Sequence, residues 1–248
     1  MPGPPDSREP ARQGGFIDRT ALERSLSALR EHRAAEPPGA VLHQVLGATR
    51  ELLATSGAGL MLVDENSALC AVMATDEPGR MLEARQEQAG RGPCVDALVL
   101  GQITVTADLS ADRRWPELLP DLPQAGVRAV LGLPIHLGGA AVGSLNVYRN
   151  EPHDWDPTEI DALRSYGGLV EGVLGAALHA HQRTELADQL QHALDHRVII
   201  DRAVGAIMAR EGVDPVTAFN QLRLTARSAA RRVVDVAGEL LSSLHETR

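Results

Sequence analysis

The sequence predicts an α+β fold: an antiparallel sheet flanked by helices, then a long connecting helix and a C-terminal unit of three helices. Three observations carry this. Apolar residues recur every three to four positions over residues 18–54, change to short apolar runs between 59 and 148, and return to helical spacing from 157 onward. The short runs are joined by hairpin signals, Asp64-Glu65-Asn66 and Gly138-Gly139, and do not alternate strictly with helices, which argues against a parallel βαβ sheet. Finally, Gly212 and Asp214-Pro215 cut the last stretch into separate helices.

In chain order, residues 1–17, opening MPGPPDSREPARQGG, lack the apolar core of a signal peptide and read as a disordered tail. Leu22, Leu26 and Leu29 form one face of a helix over 18–33, which Glu36-Pro37-Pro38-Gly39 breaks. Val41, Leu42, Val45, Leu46, Leu52 and Leu53 mark a second helix over 41–54. The runs 59–63 and 69–73 are a hairpin, 81–89 is helical, and Gly90-Arg91-Gly92-Pro93 bends the chain into a short helix at Cys94. A strand over 103–106, a loop and helix over 115–126, a strand over 127–136 interrupted by Pro134, and a strand over 142–148 complete this part.

Trp155-Asp156-Pro157 opens a long helix with Leu163, Tyr166, Val170, Val173, Ala177 and Ala180 at heptad-like spacing, and Ala187, Leu190, Leu194 and Val198 continue the stripe. One reading is a continuous helix along which two copies form a parallel homodimer. The other is a helix packed on its own sheet with a break near His181, which Gly167, Gly168, Gly172 and Gly175 favour because each weakens a helix interior. Beyond it, Ile199, Ala203, Ala206 and Ile207 line a helix that Gly212 ends. Asp214 and Pro215 start the next, with Val216, Phe219, Leu222 and Ala226 buried, and Ser228 is a candidate cap for a third through Leu244. The domain boundaries expected are 18–180 and 181–245.

Composition narrows the function classes. No stretch approaches the roughly 18 apolar residues of a membrane helix, and two cysteines, Cys70 and Cys94, fit neither a disulfide framework nor a metal site, so the default is cytoplasmic with no metal. The net charge is −9; residues 1–184 carry 16 Arg against 24 Asp and Glu, residues 185–248 carry 8 against 9. A generic polyanion binder is excluded, so nucleic-acid binding would need local arginine clusters. Two exist. Arg223 and Arg227 lie four apart on one helix face, and Arg231 with Arg232 opens the third helix, where a helix N-terminus itself favours an anion. A planar guanidinium donates two parallel bonds to phosphate; a solvated helix face is the alternative for such a run. Phe219, Trp115 and Trp155 read as packing residues rather than base stackers.

Cys94, after a tight turn and at a helix start, is a ligand-sensing or redox candidate because a helix N-terminus favours thiolate; a small buried residue is the other reading. His136 in a strand lacks a second ligand at diagnostic spacing. No Ser-His-Asp order, paired-carboxylate site or phosphate-binding glycine loop is present.

The blocks GRGPCVDAL at 90–98, DLSADRRWPEL at 108–118, GVRAVLGLPI at 126–135 and AVGSLNVY at 141–148 resemble the GAF domains of actinobacterial regulators. That resemblance implies a six-stranded antiparallel sheet with helices on both sides and a small-molecule or signal-sensing cleft, without specifying a ligand or cofactor. Leu190, Ala193, Leu194, Arg197, Ile200, Ala203, Gly205, Met208, Ala209, Ala218, Phe219, Leu222, Arg223, Val236 and Ala237 resemble the ANTAR domain, an RNA-binding module of antitermination regulators. This implies binding of tandem stem-loops in nascent RNA, often by dimers; taken together with the arginine clusters above, the expected RNA-binding residues are Arg197, Arg223, Arg227, Ser228, Arg231 and Arg232. Three positions depart from the family pattern: Val204 stands where lysine is usual, and Ala226 and Ala230 replace serine and asparagine expected to be exposed and to touch RNA. The expectation is a cytoplasmic, non-enzymatic, signal-responsive antiterminator. The alternatives are a GAF-linked DNA-binding transcription factor, since three helices also describe a helix-turn-helix, and a Cys94-dependent redox sensor or enzyme.

Overall fold

The computed structural model describes residues 17–32, 36–64, 69–119, 121–179 and 185–246; most of the expected N-terminal tail and the expected break at His181 lie outside them. Helices α1 (Arg19–His32) and α2 (Pro38–Leu52) precede the hairpin β1 (Gly57–Val63) and β2 (Leu69–Ala74). Then come α3 (Glu77–Ala89), α4 (Pro93–Leu100), β3 (Thr104–Thr106), a 3₁₀ turn (Pro116–Leu118), α5 (Asp121–Gln124), and the hairpin β4 (Ala129–Leu137) and β5 (Ala140–Arg149). Four helices close the chain: α6 (Pro157–His179), α7 (Glu185–Glu211), α8 (Pro215–Ser228) and α9 (Val233–Glu246).

The strands form one sheet in the order β2-β1-β5-β4-β3, antiparallel at every pairing. Five strands are described, not the six that the resemblance implies. Between β3 and β4 the backbone turns through Pro116, Pro123 and Gly126 instead of pairing, because proline cannot donate to a ladder. Pro134 does not interrupt β4 as expected. The β3 ladder ends at Gly132, so Pro134, opposite Ser144, needs no donor on that outer side.

The two faces of the sheet differ. Leu60, Leu62, Leu131, Leu133, Ile135, Leu145 and Val147 lie on the side of α6, where a β-carbon at Gly167 would meet Leu133 and Ile135. The other face carries Gly59, Gly132, Ser144 and Asn146 beneath α3 and α4. Gly59 leaves room for the Glu83 side chain of α3, and Gly132 lets the α4 backbone at Pro93 and Cys94 approach. Small residues there let two helices settle close to the strands.

Local chemistry sets the ends of these helices. Asp76 caps α3 by accepting from Gly79 N at 2.8 Å, and Gly90, at φ 64, ends it with its N–H on Gln86 O at 2.8 Å. In α6, Asp156 Oδ1 accepts from Thr158 N at 2.6 Å while Glu159 returns to Asp156 N at 3.0 Å, a capping box.

Of the two readings of the α6 seam, the structure shows packing on the chain's own sheet. Leu163, Tyr166, Val170 and Val173 are buried within the chain, so this stripe is not available as a dimer seam. Helix α7 is long, as expected, but contacts α6, β1 and β5, with Leu190 and Ala193 entering the sheet core; Val198 is 55% exposed, so the stripe stops before it.

The C-terminal half of α7 forms a second core with α8 and α9 from Ile200, Ala203, Val204, Ile207, Ala218, Phe219, Leu222, Ala226, Val233, Val234 and Ala237. Asp214 caps α8, accepting from Thr217 N at 3.0 Å, as expected. Ser228 does not cap α9. It ends α8 with its hydroxyl donating to Thr225 O at 2.9 Å, Ala230 turns the chain at φ 51, and the first α9-type bond runs from Val236 N to Arg232 O.

Candidate nucleic-acid interface and buried polar cluster

The six residues expected to bind RNA divide into three groups. Arg231 bonds Glu239 at 2.6 and 2.7 Å and Arg232 bonds Asp235 at 2.7 and 2.9 Å, so both forks engage carboxylates of α9. Ser228 is turned onto its own helix. Arg197, Arg223 and Arg227 reach the N-terminal domain, the first two half-buried and Arg227 still exposed.

Their acceptors there are main-chain carbonyls at two helix ends. Arg223 Nη1 donates to Glu87 O at 3.3 Å and Arg227 Nη1 to Gln88 O at 3.4 Å, both in the last turn of α3. Arg197 Nη2 donates to Leu98 O at 3.3 Å in the last turn of α4, while its Nε bonds Asp201 at 3.1 Å. The last carbonyls of a helix have no partner within it and carry the negative end of its dipole, which suits a cation. Gly90 completes the fit: a β-carbon there would fall inside the Arg223 guanidinium. Burial, and then the neighbouring Arg227, push the Arg223 pKa down from its ordinary value. Arg223, Arg227 and Arg231 line one cleft of ≈ 480 Å³, with Ala84, Glu87 and Gln88 opposite. The four-residue spacing of Arg223 and Arg227 did place them on one face; what that face meets is main-chain oxygen, which no side-chain pattern announces.

A polar cluster lies between α3, α4 and the glycine-bearing face of the sheet. Gln86 Oε1 accepts from Cys94 N at 2.8 Å and its Nε2 donates to Cys94 Sγ at 3.1 Å. Asn146 Nδ2 donates to Glu83 Oε1 at 3.3 Å. Glu83, Gln86, Cys94, Ser144 and Asn146 are all fully buried. Burial pushes the Glu83 carboxyl up to about 8 against the opposing bond from Asn146, so it holds its proton at neutral pH. Glu83 Oε2, Asn146 Oδ1 and Ser144 Oγ have no partner among the described residues. Neither Glu83 nor Asn146 was selected from the sequence, where one is an ordinary helix residue and the other sits in an apolar run.

Cys94 starts α4 as expected, but a thiolate is not favoured: burial pushes its thiol up to about 12, overriding the helix end. His136 donates its main-chain N–H to Glu171 Oε1 at 2.8 Å, with its ring 3.8 Å from the same carboxylate. Trp115, Trp155 and Phe219 are packing residues, the indoles donating to Asp96 at 3.1 Å and Thr106 O at 3.3 Å.

The GAF domain family matches residues 37–174, more than half of the chain. The chain belongs to the GAF domain family. The ANTAR domain matches residues 188–241, so a GAF domain is followed by an ANTAR domain. The fold is similar to the GAF domain from Acinetobacter phosphoenolpyruvate-protein phosphotransferase, with TM-score 0.52, 15% identity, and coverage of 66% of this chain and 95% of that one. It is also similar to free methionine-R-sulfoxide reductase from Neisseria meningitidis, with TM-score 0.51, 19% identity and coverage of 66% and 95%. A third likeness is GAF3 of Slr1393 from Synechocystis, with TM-score 0.50, 17% identity and coverage of 60% and 100%. At these identities the likeness is one of fold. None of the curated proteins matches the chain. Among the described residues no helix is long and apolar enough to cross a membrane.

Within the ANTAR domain, the departures fall differently from expectation. Ala226 is 1% exposed and packs in the core, and Val204 is buried in the same core, so neither offers a surface to RNA; only Ala230 is exposed. Chain position explains the split: Ala230 lies in the turn between α8 and α9, whereas position 226 lies on the apolar stripe with Leu222 and Phe219.

Proposed function

We propose that this GAF–ANTAR chain is a signal-responsive transcription antitermination regulator whose ANTAR domain binds stem-loop RNA through Arg223, Arg227 and Arg231. The observation that carries this is the convergence of the three guanidinium groups on one cleft, where among the described residues Arg223 and Arg227 pair with no carboxylate. Two cations four residues apart that engage no carboxylate match successive phosphates of a folded RNA backbone, while Arg197 is already paired with Asp201. Arg232 and Ser228, both bonded within the ANTAR domain, are assigned no direct part. The input reaches the GAF domain as a small molecule or protein signal of unspecified identity. A non-enzymatic role is supported by the protonated, enclosed Cys94, which leaves no nucleophilic thiolate for turnover. The working assembly is a cytoplasmic homodimer that uses a surface other than the α6 seam.

The test is fluorescence anisotropy with a pool of RNAs carrying two tandem hairpins with randomised loops, against duplex DNA of equal length. Preference for the RNA pool, reduced at least tenfold in the double variant Arg223→Ala/Arg227→Ala, is the expected result. Tighter binding to duplex DNA would transfer the protein to the DNA-binding class, and equal RNA binding by the double variant would remove the assigned surface.

A further inference from the structure

We propose that the GAF domain is an intramolecular competitor for the ANTAR arginine face: the last turns of α3 and α4 hold Arg223, Arg227 and Arg197 through main-chain carbonyls, and RNA gains these side chains only when the domains part. This rests on the RNA-binding reading given above.

The contact has the properties of a reversible stand-in for phosphate. Its acceptors are main-chain oxygens at helix C-termini, partial negative charges that present themselves to a guanidinium much as a phosphate oxygen does. The bonds run from 3.3 to 3.4 Å, long for N–H···O, and a neutral carbonyl is a weaker acceptor than a phosphate anion, so a phosphate presented to the same forks wins the exchange. The closed arrangement also leaves a cost uncompensated. Arg223 Nε is buried without a partner, and Arg223 and Arg227 repel each other along one face of α8, a cost that an anion between them removes.

The fit is shaped on the GAF side. Gly90 occupies a left-handed position that glycine adopts without strain, and its bare α-carbon is the surface against which the Arg223 fork lies. The gripping elements also stand directly on the buried polar cluster. Glu83 and Gln86 belong to the same helix as Glu87 and Gln88, and Cys94 to the same helix as Leu98. A signal that fills or reorganises the cluster under α3 and α4 therefore displaces the carbonyls that hold the arginines. It opens the face in proportion to its differential affinity for the two arrangements.

Two full-length variants push the contact in opposite directions without altering any arginine. Gly90→Ala inserts a β-carbon into the Arg223 fork and should open the face, tightening binding of the tandem-hairpin pool about tenfold and speeding amide exchange in α8 without RNA. Ala84→Glu, at an exposed position on the α3 wall of the cleft, sets a carboxylate opposite the arginines; it should weaken RNA binding about fivefold and slow exchange in α8. Thermal unfolding checks each fold, and Ala84→Glu alone decides the matter if Gly90→Ala does not fold. Wild-type RNA affinity in both variants, with Arg223→Ala/Arg227→Ala still impaired, overturns the competition while leaving the RNA-binding surface intact. If wild-type protein binds neither RNA nor DNA, the RNA reading fails and the competition with it. Exchange then judges the docking by itself: slower α8 exchange in Ala84→Glu upholds it, and unchanged exchange overturns it.

Discussion

The GAF and ANTAR domains solve the problem of combining a stable core with a polar function in opposite ways. In the GAF domain, one sheet face is filled by large apolar side chains under α6 while the other encloses carboxyl, amide, hydroxyl and thiol groups beneath α3 and α4. Its chemistry is inside. The ANTAR domain has a thin core in which Ala203, Ala218, Ala226 and Ala237 bring three helices together around Phe219, and its polar groups, arginines among them, are outside. An enclosed polar cluster responds to what enters or protonates it; an external cation set responds to what competes for it. The two meet at the ends of α3 and α4, so a change in one is felt by the other.

The contrast is broken most severely by Phe219→Ala. Removing the one large ring of the ANTAR core should cost about 3–5 kcal/mol and speed hydrogen exchange through α7–α9 while β1 and β5 keep wild-type protection. Loss of protection in the sheet as well would mean that the two cores are one cooperative unit.

An effect of comparable size, confined to the GAF domain and spread over a pH range, follows from Glu83. Its folded pKa of about 8 stands above the reference value of 4.5, so between these values the native state binds more protons than the unfolded chain. Stability should fall as pH rises from 4.5 to 8 and be flat in this respect above 8. The span is on the order of 5 kcal/mol. Denaturant unfolding of wild type and Glu83→Gln across this range checks it. The variant should lack the decline and be more stable at pH 8, and parallel curves would remove Glu83 as the source.

Asp214→Ala, which removes the cap of α8, should lower ANTAR stability by about 1 kcal/mol and leave GAF exchange unchanged. The smallest change is a gain. Ala230 holds a left-handed conformation that glycine or asparagine tolerates better, so Ala230→Gly should raise stability by about 0.5–1 kcal/mol. A lower melting temperature would show that the turn before α9 is held by something other than backbone preference.

Much of this architecture was legible where local chemistry decides it. The Gly138-Gly139 turn, the Gly90 and Gly212 stops, the Asp214-Pro215 start and most of the apolar stripes of α2, α7 and α8 appear where spacing and capping place them, while the turn expected at Asp64-Glu65-Asn66 lies mostly outside the described residues. What escaped depended on partners distant in sequence. The stripe Leu163, Tyr166, Val170, Val173 has the same spacing whether it meets a second copy or its own sheet, and only the tertiary arrangement shows that it meets the sheet. Ser228 is a good cap by composition, yet Ala230 defers α9 to Val233. Cys94 was placed correctly at a helix start, but its depth of burial reverses the chemistry that position suggests. The arginine pair was visible as a face; the carbonyls it grips belong to main chain more than a hundred residues away.

The most direct test of the central claim, that one arginine face serves the GAF domain and RNA in turn, is hydrogen exchange of the full chain with and without saturating tandem-hairpin RNA. The account predicts slower exchange across residues 223–232 and, in the same sample, faster exchange across 84–90. Protection elsewhere with residues 223–232 unchanged would contradict it.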